Sequence, residues 1–382
     1  MMKALIIGCG IAGPVTAMAL REVGVEAEIF EAYGQSAENV GSFLNLASNG
    51  LAALRTLGAH RTVLEPAIPT PRMVMWSGSG KRLGEVANGL RLDDGTVSHT
   101  VLRSDLYRTV RDEAARRGIQ VTYGKRLVSY DDHGGGVTAR FEDGTEATGD
   151  LLIACDGVHS HTRSILDPQA PAPRYSGLYS FGGIVKDTSL PGEPGVYNMV
   201  FGKRAFFGYT VADSGETWWF ANLPRRLGDV PESWKAELVR AFEDDANSSA
   251  QLVSRSEVGP ALPIHDLPPV PVWHRGRVLL LGDAAHATSP SSGQGASLAV
   301  EDAVALARCL RDSADHREAF GRFEAERRPR VERVVAYSRT ISNSKAAGPV
   351  GRVFRDLMLP LFLKKSASQE SLAWMYRYQA SL

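Results

Sequence analysis

The sequence has only three cysteines among 382 residues, no long apolar run, and no excess charge, with 43 basic against 43 acidic side chains. Cys9, Cys155 and Cys309 are odd in number and far apart. They give neither a disulfide framework nor metal-ligand spacing, so reduced, buried thiols are expected. The nine histidines form no HxxxH pair and no Cys/His cluster, and no metal site is expected. Balanced charge removes the electrostatic footprint of a dedicated nucleic-acid binder. Without a continuous apolar run, no membrane-spanning helix is expected. The first apolar strand begins at Ala4, which leaves no room for a secretory signal ahead of it. A cytoplasmic protein is the expectation.

Hydrophobic residues make up 43% of the chain, enough for a well-buried core, and the length suits two domains. Ala4-Leu5-Ile6-Ile7 is an apolar run of the kind buried on both faces of a parallel sheet. A glycine-rich turn, a helical stretch through Ala17, Leu20 and Val23, and a second strand ending at Glu31 follow. Leu151 to Cys155 and Val278 to Leu281 are two more apolar runs, each ending at a Gly and Asp pair, Asp156-Gly157 and Gly282-Asp283.

The middle of the chain has another texture. From about Tyr179 to Leu223, short aromatic-rich segments alternate with turn formers. Phe206 to Val211 and Thr217 to Asn222 flank Asp213-Ser214-Gly215-Glu216, which reads as a hairpin. Hairpins make antiparallel sheets, whereas parallel sheets need crossovers, so two sheets of different character are expected. Beyond Glu301 the pattern is helical. Arg317 to Arg339, dense in Arg and Glu, reads as a solvated helix face. Gly351 to Lys365 mixes basic and apolar residues around Pro360 and reads as a packed terminal helix.

The chemistry starts at Gly8-x-Gly10-x-x-Gly13, placed between a strand and a helix as a dinucleotide-binding turn requires. Gly8 permits the tight turn, Gly10 lets backbone approach a pyrophosphate, and Gly13 allows close helix–strand packing. The helix start then offers free N–H groups to phosphate. Glu31, 18 positions beyond Gly13, can accept both ribose hydroxyls of an adenosine. In a chain with 38 glycines the turn alone is weak; with its strands and Glu31 it favours an adenine dinucleotide. NAD and FAD share this fingerprint. The second signal is Gly282-Asp283-Ala284-Ala285-His286, with Pro290 and Gly293-Gln294-Gly295 after it. A carboxylate at a strand end suits a ribityl hydroxyl, and a glycine-rich helix start suits the anionic edge of a reduced flavin.

At this point the chain resembles the FAD-dependent monooxygenases of the p-hydroxybenzoate hydroxylase type, the group A flavoprotein aromatic hydroxylases. The resemblance spans about residues 3–340. It rests on Gly8 to Gly13 with Glu31, on Asp156-Gly157 with Ser160 and Arg163, and on Gly282-Asp283 through Ser297, in the family's order. The fold it implies is α/β: a Rossmann-like FAD-binding domain with an inserted antiparallel β-sheet substrate domain and C-terminal helices. Residues 1–70, 99–170 and 265–340 would form the FAD-binding domain, 71–98 and 171–264 the substrate domain, and 341–382 a C-terminal helical segment.

Carried over by position, Gly8, Gly10, Ala12 and Gly13 would cradle the pyrophosphate and Glu31 would hold the ribose. Arg103 matches the arginine that reaches the FAD, and Leu127 falls where backbone contacts adenine. Asp283 would bind the ribityl chain, with Pro290, Gly293, Gly295, Ala296 and Ser297 along the flavin ring. Asn45 lies in a stretch that contacts the flavin in relatives, some of which carry Arg or Asp in that region. Asp156 belongs to the segment associated with FAD and NAD(P)H; a purely structural role in tying its loop down is equally compatible. His286 is expected to order its loop rather than to act as a base.

The resemblance implies that NAD(P)H reduces the flavin, O₂ adds at C4a, and the resulting hydroperoxide hydroxylates a small aromatic or polyketide-like compound, in secondary metabolism or antibiotic inactivation. Water must be excluded for that chemistry. No catalytic side chain is assigned, because the flavin does the oxygen chemistry. Substrate contacts are expected from the antiparallel sheet, with Phe201, Arg204, Phe206, Tyr209, Trp219 and Asn222 as candidates; ordinary sheet core is the competing account for each. Adjacent strand residues alternate, so Tyr209 and Thr210 cannot both look at the flavin. A flavin oxidoreductase of the same fold without oxygen insertion is the alternative, and a non-catalytic FAD-binding protein ranks third. The halogenase segment Trp-x-Trp-x-Ile-Pro is absent. A monomer and a homodimer are both compatible.

Overall fold

The computed structural model describes residues 2–34, 43–186, 193–345, 356–360 and 369–382 of the chain. Its first sheet has six strands in the order His274–Arg275, Val278–Leu280, Leu151–Ala154, Lys3–Ile7, Glu26–Glu31, Gln120–Tyr123. Every pairing is parallel except the short 274–280 hairpin at one edge. Ala4 to Ile7, Leu151 to Ala154 and Val278 to Leu280 are buried throughout. Strands covered on both faces have no polar side to show, so they read as continuous apolar runs.

Helices Ala12–Glu22 and Gly295–Arg311 pack against each other on this sheet. The second helix buries nearly its whole length, Glu301 and Asp302 included. Two charges in the middle of an apolar helix must be paired. Their partners come from helix His316–Lys345: Arg327 is fully buried against both acids, and Arg330 is nearly so against Glu301. The expected solvated face along Arg317 to Arg339 is therefore corrected at Arg327 and Arg330, which point inward because the acids they neutralise cannot reach water.

The second large sheet has seven strands, ordered Leu262–Asp266, Arg174–Val185, Thr217–Pro224, Phe206–Val211, Val196–Phe201, Arg72–Ser77, Arg82–Ala87. The expected hairpin is there, with Val211 opposite Thr217 and Phe206 opposite Asn222. One pair is parallel, Val196–Phe201 beside Arg72–Ser77, which departs from an all-antiparallel expectation. Those two strands are far apart in sequence, so no tight turn dictates their direction.

The faces of this sheet differ. Helices Trp234–Phe242 and Ser249–Arg255 cover one face, where Phe181, Phe207, Trp219, Phe242 and Leu252 form a closed core. The opposite face turns toward the first half of the molecule. There Phe220 and Tyr197 meet the Phe43 ring, with centroids 5.6 Å from it in both cases. Phe43 begins strand Phe43–Leu46, which pairs with His99–Leu102 in a small three-stranded sheet. A further three-stranded sheet runs from Leu127 to Gly149. Of the Gly351 to Lys365 stretch only residues 356–360 are described, as helix; the rest lies outside the described residues. Among the described residues, no helix is long and apolar enough to cross a membrane.

Candidate functional site

The sequence motifs converge at the carboxyl ends of the parallel strands. Gly8 has φ +103°, and a Cβ there would lie 2.5 Å from the Cys155 carbonyl oxygen, so the first turn and the Asp156 loop touch through backbone. A Cβ on Gly13 would strike the Gly8 carbonyl oxygen at 2.0 Å, which sets helix against strand. A Cβ on Gly282 would meet Ala12 and Ala299 at 3.4 and 3.3 Å, so the third motif sits against the first. A Cβ on Gly10, by contrast, would meet nothing within 4 Å. The turn therefore has backbone open to a crevice, where ligands bind in open parallel sheets.

Helix Ala12–Glu22 starts at Ile11 with no side-chain cap, and Gly295–Arg311 starts at Gln294 likewise uncapped. Helices Ser48–Thr56, His60–Leu64, Arg103–Arg116 and Ser249–Arg255 also start without a side-chain cap, so it is their place at the ends of the parallel strands that singles out the starts at Ile11 and Gln294. The crevice helices leave N–H donors available for an anion.

Glu31 is held by backbone. The Cys9 N–H donates to Oε2 at 2.7 Å and the Tyr33 N–H to Oε1 at 3.0 Å. Burial, then the nearby Glu31 charge, pushes the Cys9 thiol up to about 12, so it stays protonated and unreactive. Arg103 opens helix Arg103–Arg116 and donates to the Tyr107 hydroxyl from Nε at 2.9 Å and Nη2 at 2.6 Å. Asp283 is solvent-accessible, yet desolvation by surrounding protein raises its pKa against the opposing pull of His286 and Arg103. Accessibility together with dense surroundings is what a carboxylate on the wall of a deep cleft shows.

Other expected residues are placed as follows. Leu127 is buried at the start of its strand. Asp156 Oδ2 accepts from the Thr162 N–H at 3.0 Å and its hydroxyl at 2.8 Å, which ties the loop down. Its Oδ1 is buried without a partner. Asn45 Oδ1 accepts from Asn88 Nδ2 at 2.9 Å, and the Asn45 side chain lies against Gly293, whose φ is +63°. Gly41 and Ser42, from the same stretch, lie outside the described residues. Pro290 is exposed, and Gly293, Gly295 and Ala296 are partly so. Ser297 is different: its side chain is fully buried and accepts from the Ala47 N–H at 3.2 Å. It anchors helix Ser48–Thr56 instead of lining the crevice, so only its backbone could face a ligand.

Sequence reasoning missed the layer beneath these loops. Asp302 accepts from the Gly282 N–H at 3.2 Å, from His286 Nε2 at 2.6 Å and from Arg327 Nε at 2.7 Å. Burial alone would raise its pKa, but His286 and Arg327 bring it down to about 2. His286 thus orders its loop, as expected of it. Glu301 accepts from Asn49 Nδ2 at 2.6 Å, and the same Nδ2 reaches Gln294 Oε1 at 3.0 Å. Arg330 donates onward to the carbonyls of Trp374 and Met375 at 3.2 and 2.8 Å. The adjacent acids Glu301 and Asp302 in an apolar helix were the available signal for buried cationic partners.

The six sheet candidates separate. Phe201, Phe206 and Asn222 share the face that turns toward Phe43, because Phe206 sits opposite both Phe201 and Asn222 in the ladders. Tyr209 and Trp219, opposite each other, lie on the other face; Trp219 is sealed under the helices and donates from Nε1 to Ser256 at 2.9 Å. They are withdrawn as contacts, since strand alternation gives the inner face to Thr210 and Phe220 instead. Arg204 is exposed and engaged by Glu243, Asp244 and the Arg240 carbonyl, which holds it at the outer surface. An open cavity of about 650 Å³ is lined by Asn88 together with Pro71, Arg72, Glu85, Arg91 and Ser98.

The FAD binding domain family model matches residues 1–338. The chain is 33% identical over 346 residues to the FAD-dependent urate hydroxylase of Klebsiella pneumoniae, covering 88% of this chain and 89% of that one. It is 32% identical to the aurachin C monooxygenase/isomerase of Stigmatella aurantiaca, covering 88% of each. Among solved structures, Klebsiella pneumoniae HpxO complexed with FAD and uric acid superposes with a TM-score of 0.85 at 28% identity, over 94% of this chain and 93% of that one. A salicylate hydroxylase substrate complex has a TM-score of 0.80 at 22% identity, over 99% and 96%, a likeness of fold. The chain belongs to the FAD-binding domain family of monooxygenases of the aromatic hydroxylase type, as the resemblance read from its motifs implied.

Proposed function

We propose that this protein is a single-component monooxygenase that uses FAD, NAD(P)H and O₂ to hydroxylate a small aromatic or polyketide-like compound. The observation that carries the reading is the crevice itself: open backbone at Gly10, two helix starts at the carboxyl ends of the parallel strands, and an accessible carboxylate at Asp283 against the first turn. These donors and acceptors match an adenine dinucleotide with a polyol chain. When bound, FAD supplies the redox and oxygen-activating chemistry.

The chain's own residues bind and orient. Backbone at Gly8, Gly10, Ala12 and Gly13 would meet the pyrophosphate, where N–H groups and helix dipole favour negative charge. Glu31, fixed by two backbone donors, would take the ribose hydroxyls and repel a phosphate on them. Leu127 backbone would border the adenine. Arg103 and Asp283 would flank the ribityl chain, with the backbone of Pro290, Gly293, Gly295, Ala296 and Ser297 and the Asn45 side chain along the ring. Asp156 is assigned to its loop's structure by its bonds to Thr162.

The parallel-sheet half is assigned to the cofactor and the seven-stranded sheet to the substrate. Phe43 and Phe220 meet where the two halves join, an apolar contact that would help to keep water from the reacting region. The test is NAD(P)H oxidation under ¹⁸O₂ with a panel of aromatic compounds. The expected result is stimulation by a panel member and one labelled oxygen atom in its product. Hydrogen peroxide as the sole oxygen product with every compound would overturn the reading.

A further inference from the structure

We propose that the substrate is an uncharged, flat, largely apolar ring compound, and that the site rejects the same ring carrying a carboxylate. The inference rests on the monooxygenase reading and narrows it. Its basis is the inner face of the seven-stranded sheet. Ladder partners point the same way, so the register fixes which side chains share that face. Met73 and Met75 stand opposite Tyr/Met positions 197 and 199, Met199 is opposite Gly208, and Gly208 is opposite Phe220. Beyond them the face continues through Phe206 and Asn222 to Ser180.

No Asp, Glu, Lys or Arg occurs among these described positions. Met73, Met75, Met199 and Phe220 are partly exposed on it, the only partly open large side chains among the positions just named, and Leu359 packs into the same cluster as Met75, Met199 and Phe220. Asn222 and Ser180 supply the polar contact, their side chains 3.4 Å apart. Tyr197 is buried and desolvation holds its phenol strongly toward the neutral form. The one cation among the substrate candidates, Arg204, is turned to the surface and neutralised by Glu243 and Asp244. Arg103 and Asp283, the charges across the crevice, face each other's field. A carboxylate pressed against this wall would be desolvated without a partner, which is a large penalty. A neutral ring loses nothing there and gains aromatic and thioether contact. Three of the chain's eight methionines lie on this wall, and their flexible side chains suit rings of differing size.

The experiment uses FAD-loaded protein and two matched probes, 1-naphthol and 1-hydroxy-2-naphthoate, each titrated while the flavin absorption band is followed. The neutral probe is expected to bind at least about tenfold tighter, since a missing charge partner is worth at least that factor. Met199→Lys is expected to weaken the neutral probe and narrow or reverse the preference; flavin content and melting temperature confirm that it folds. Ser180→Ala, a milder change, should weaken the neutral probe a few-fold. Equal or tighter binding of the carboxylate, or no binding of the neutral probe, overturns the proposal. So does a Met199→Lys protein that folds and keeps the wild-type preference. Failure of the wild type to take up FAD strikes instead at the monooxygenase reading, and the flavin spectrum reports that separately.

Discussion

The two walls of the crevice are built on opposite principles. Beneath the cofactor wall lies a fully buried set of charges, Glu301, Asp302 and Arg327, bonded into the loops at Gly282, His286 and, through Asn49, Gln294. The described wall positions from Met73 through Phe220 to Ser180 carry no charge and show methionine and phenylalanine. A cofactor of one fixed shape rewards rigid polar scaffolding, in which each group has a single satisfying geometry. A varied apolar ligand rewards side chains that repack cheaply. The same chain thus spends its conformational precision on one side only.

Removing a charge from the scaffold should give the largest effect. Arg327→Met leaves Glu301 and Asp302 buried with fewer partners, and a loss of about 3–5 kcal/mol is expected in urea unfolding. A loss below about 1 kcal/mol would mean that the network is not the support described.

Acid comes next. Asp302 has its folded pKa lowered to about 2, below its ordinary value of 3.8, by His286 and Arg327 working against burial. A lowered carboxylate pKa stabilises the fold above the unfolded pKa, and that stability is lost as pH falls through about 4 toward 2. About 2 kcal/mol of pH-dependent stability is expected from this group. Unfolding measured between pH 6 and pH 2 should show the slope, and Asp302→Asn should flatten it. Identical slopes in the two proteins would remove Asp302 from the account.

At the crevice surface the expected change is in affinity. Asp283→Ala deletes an accessible carboxylate that no core packing needs, so the fold should hold while FAD dissociates at least about tenfold more readily, read by flavin fluorescence. Smallest of all, Met199→Leu on the sheet wall should cost less than about 1.5 kcal/mol, because a volume-conserving swap repacks. A larger cost would make that wall as rigid as its opposite and erase the contrast.

Sequence reasoning placed the elements correctly where meaning is local. Gly8 to Gly13, Glu31 and Gly282-Asp283 each sit beside a strand and a turn within a few residues, as expected, and the hairpin around Asp213 to Glu216 has its turn formers in place. It failed where meaning depends on a distant partner. Arg327 looks like any arginine of a charged helix until Asp302, on another helix, is packed against it. Tyr209 and Trp219 alternate correctly with their neighbours, but which face is inner depends on where helices Trp234–Phe242 and Ser249–Arg255 settle. Ser297 belongs to the flavin-loop motif in one dimension and to the Ala47 anchor in three. Arg204, set among aromatics in sequence, sits in the turn between strands Val196–Phe201 and Phe206–Val211 within reach of Glu243 and Asp244, and solvent-side pairing wins.

The most direct test of the account is a titration of flavin-stripped protein with FAD, followed by visible absorption and flavin fluorescence. Saturation at one FAD per chain, with a shifted absorption band and quenched or altered emission, is the predicted result. A protein that folds, stays colourless and leaves the spectrum of added FAD unchanged would contradict it.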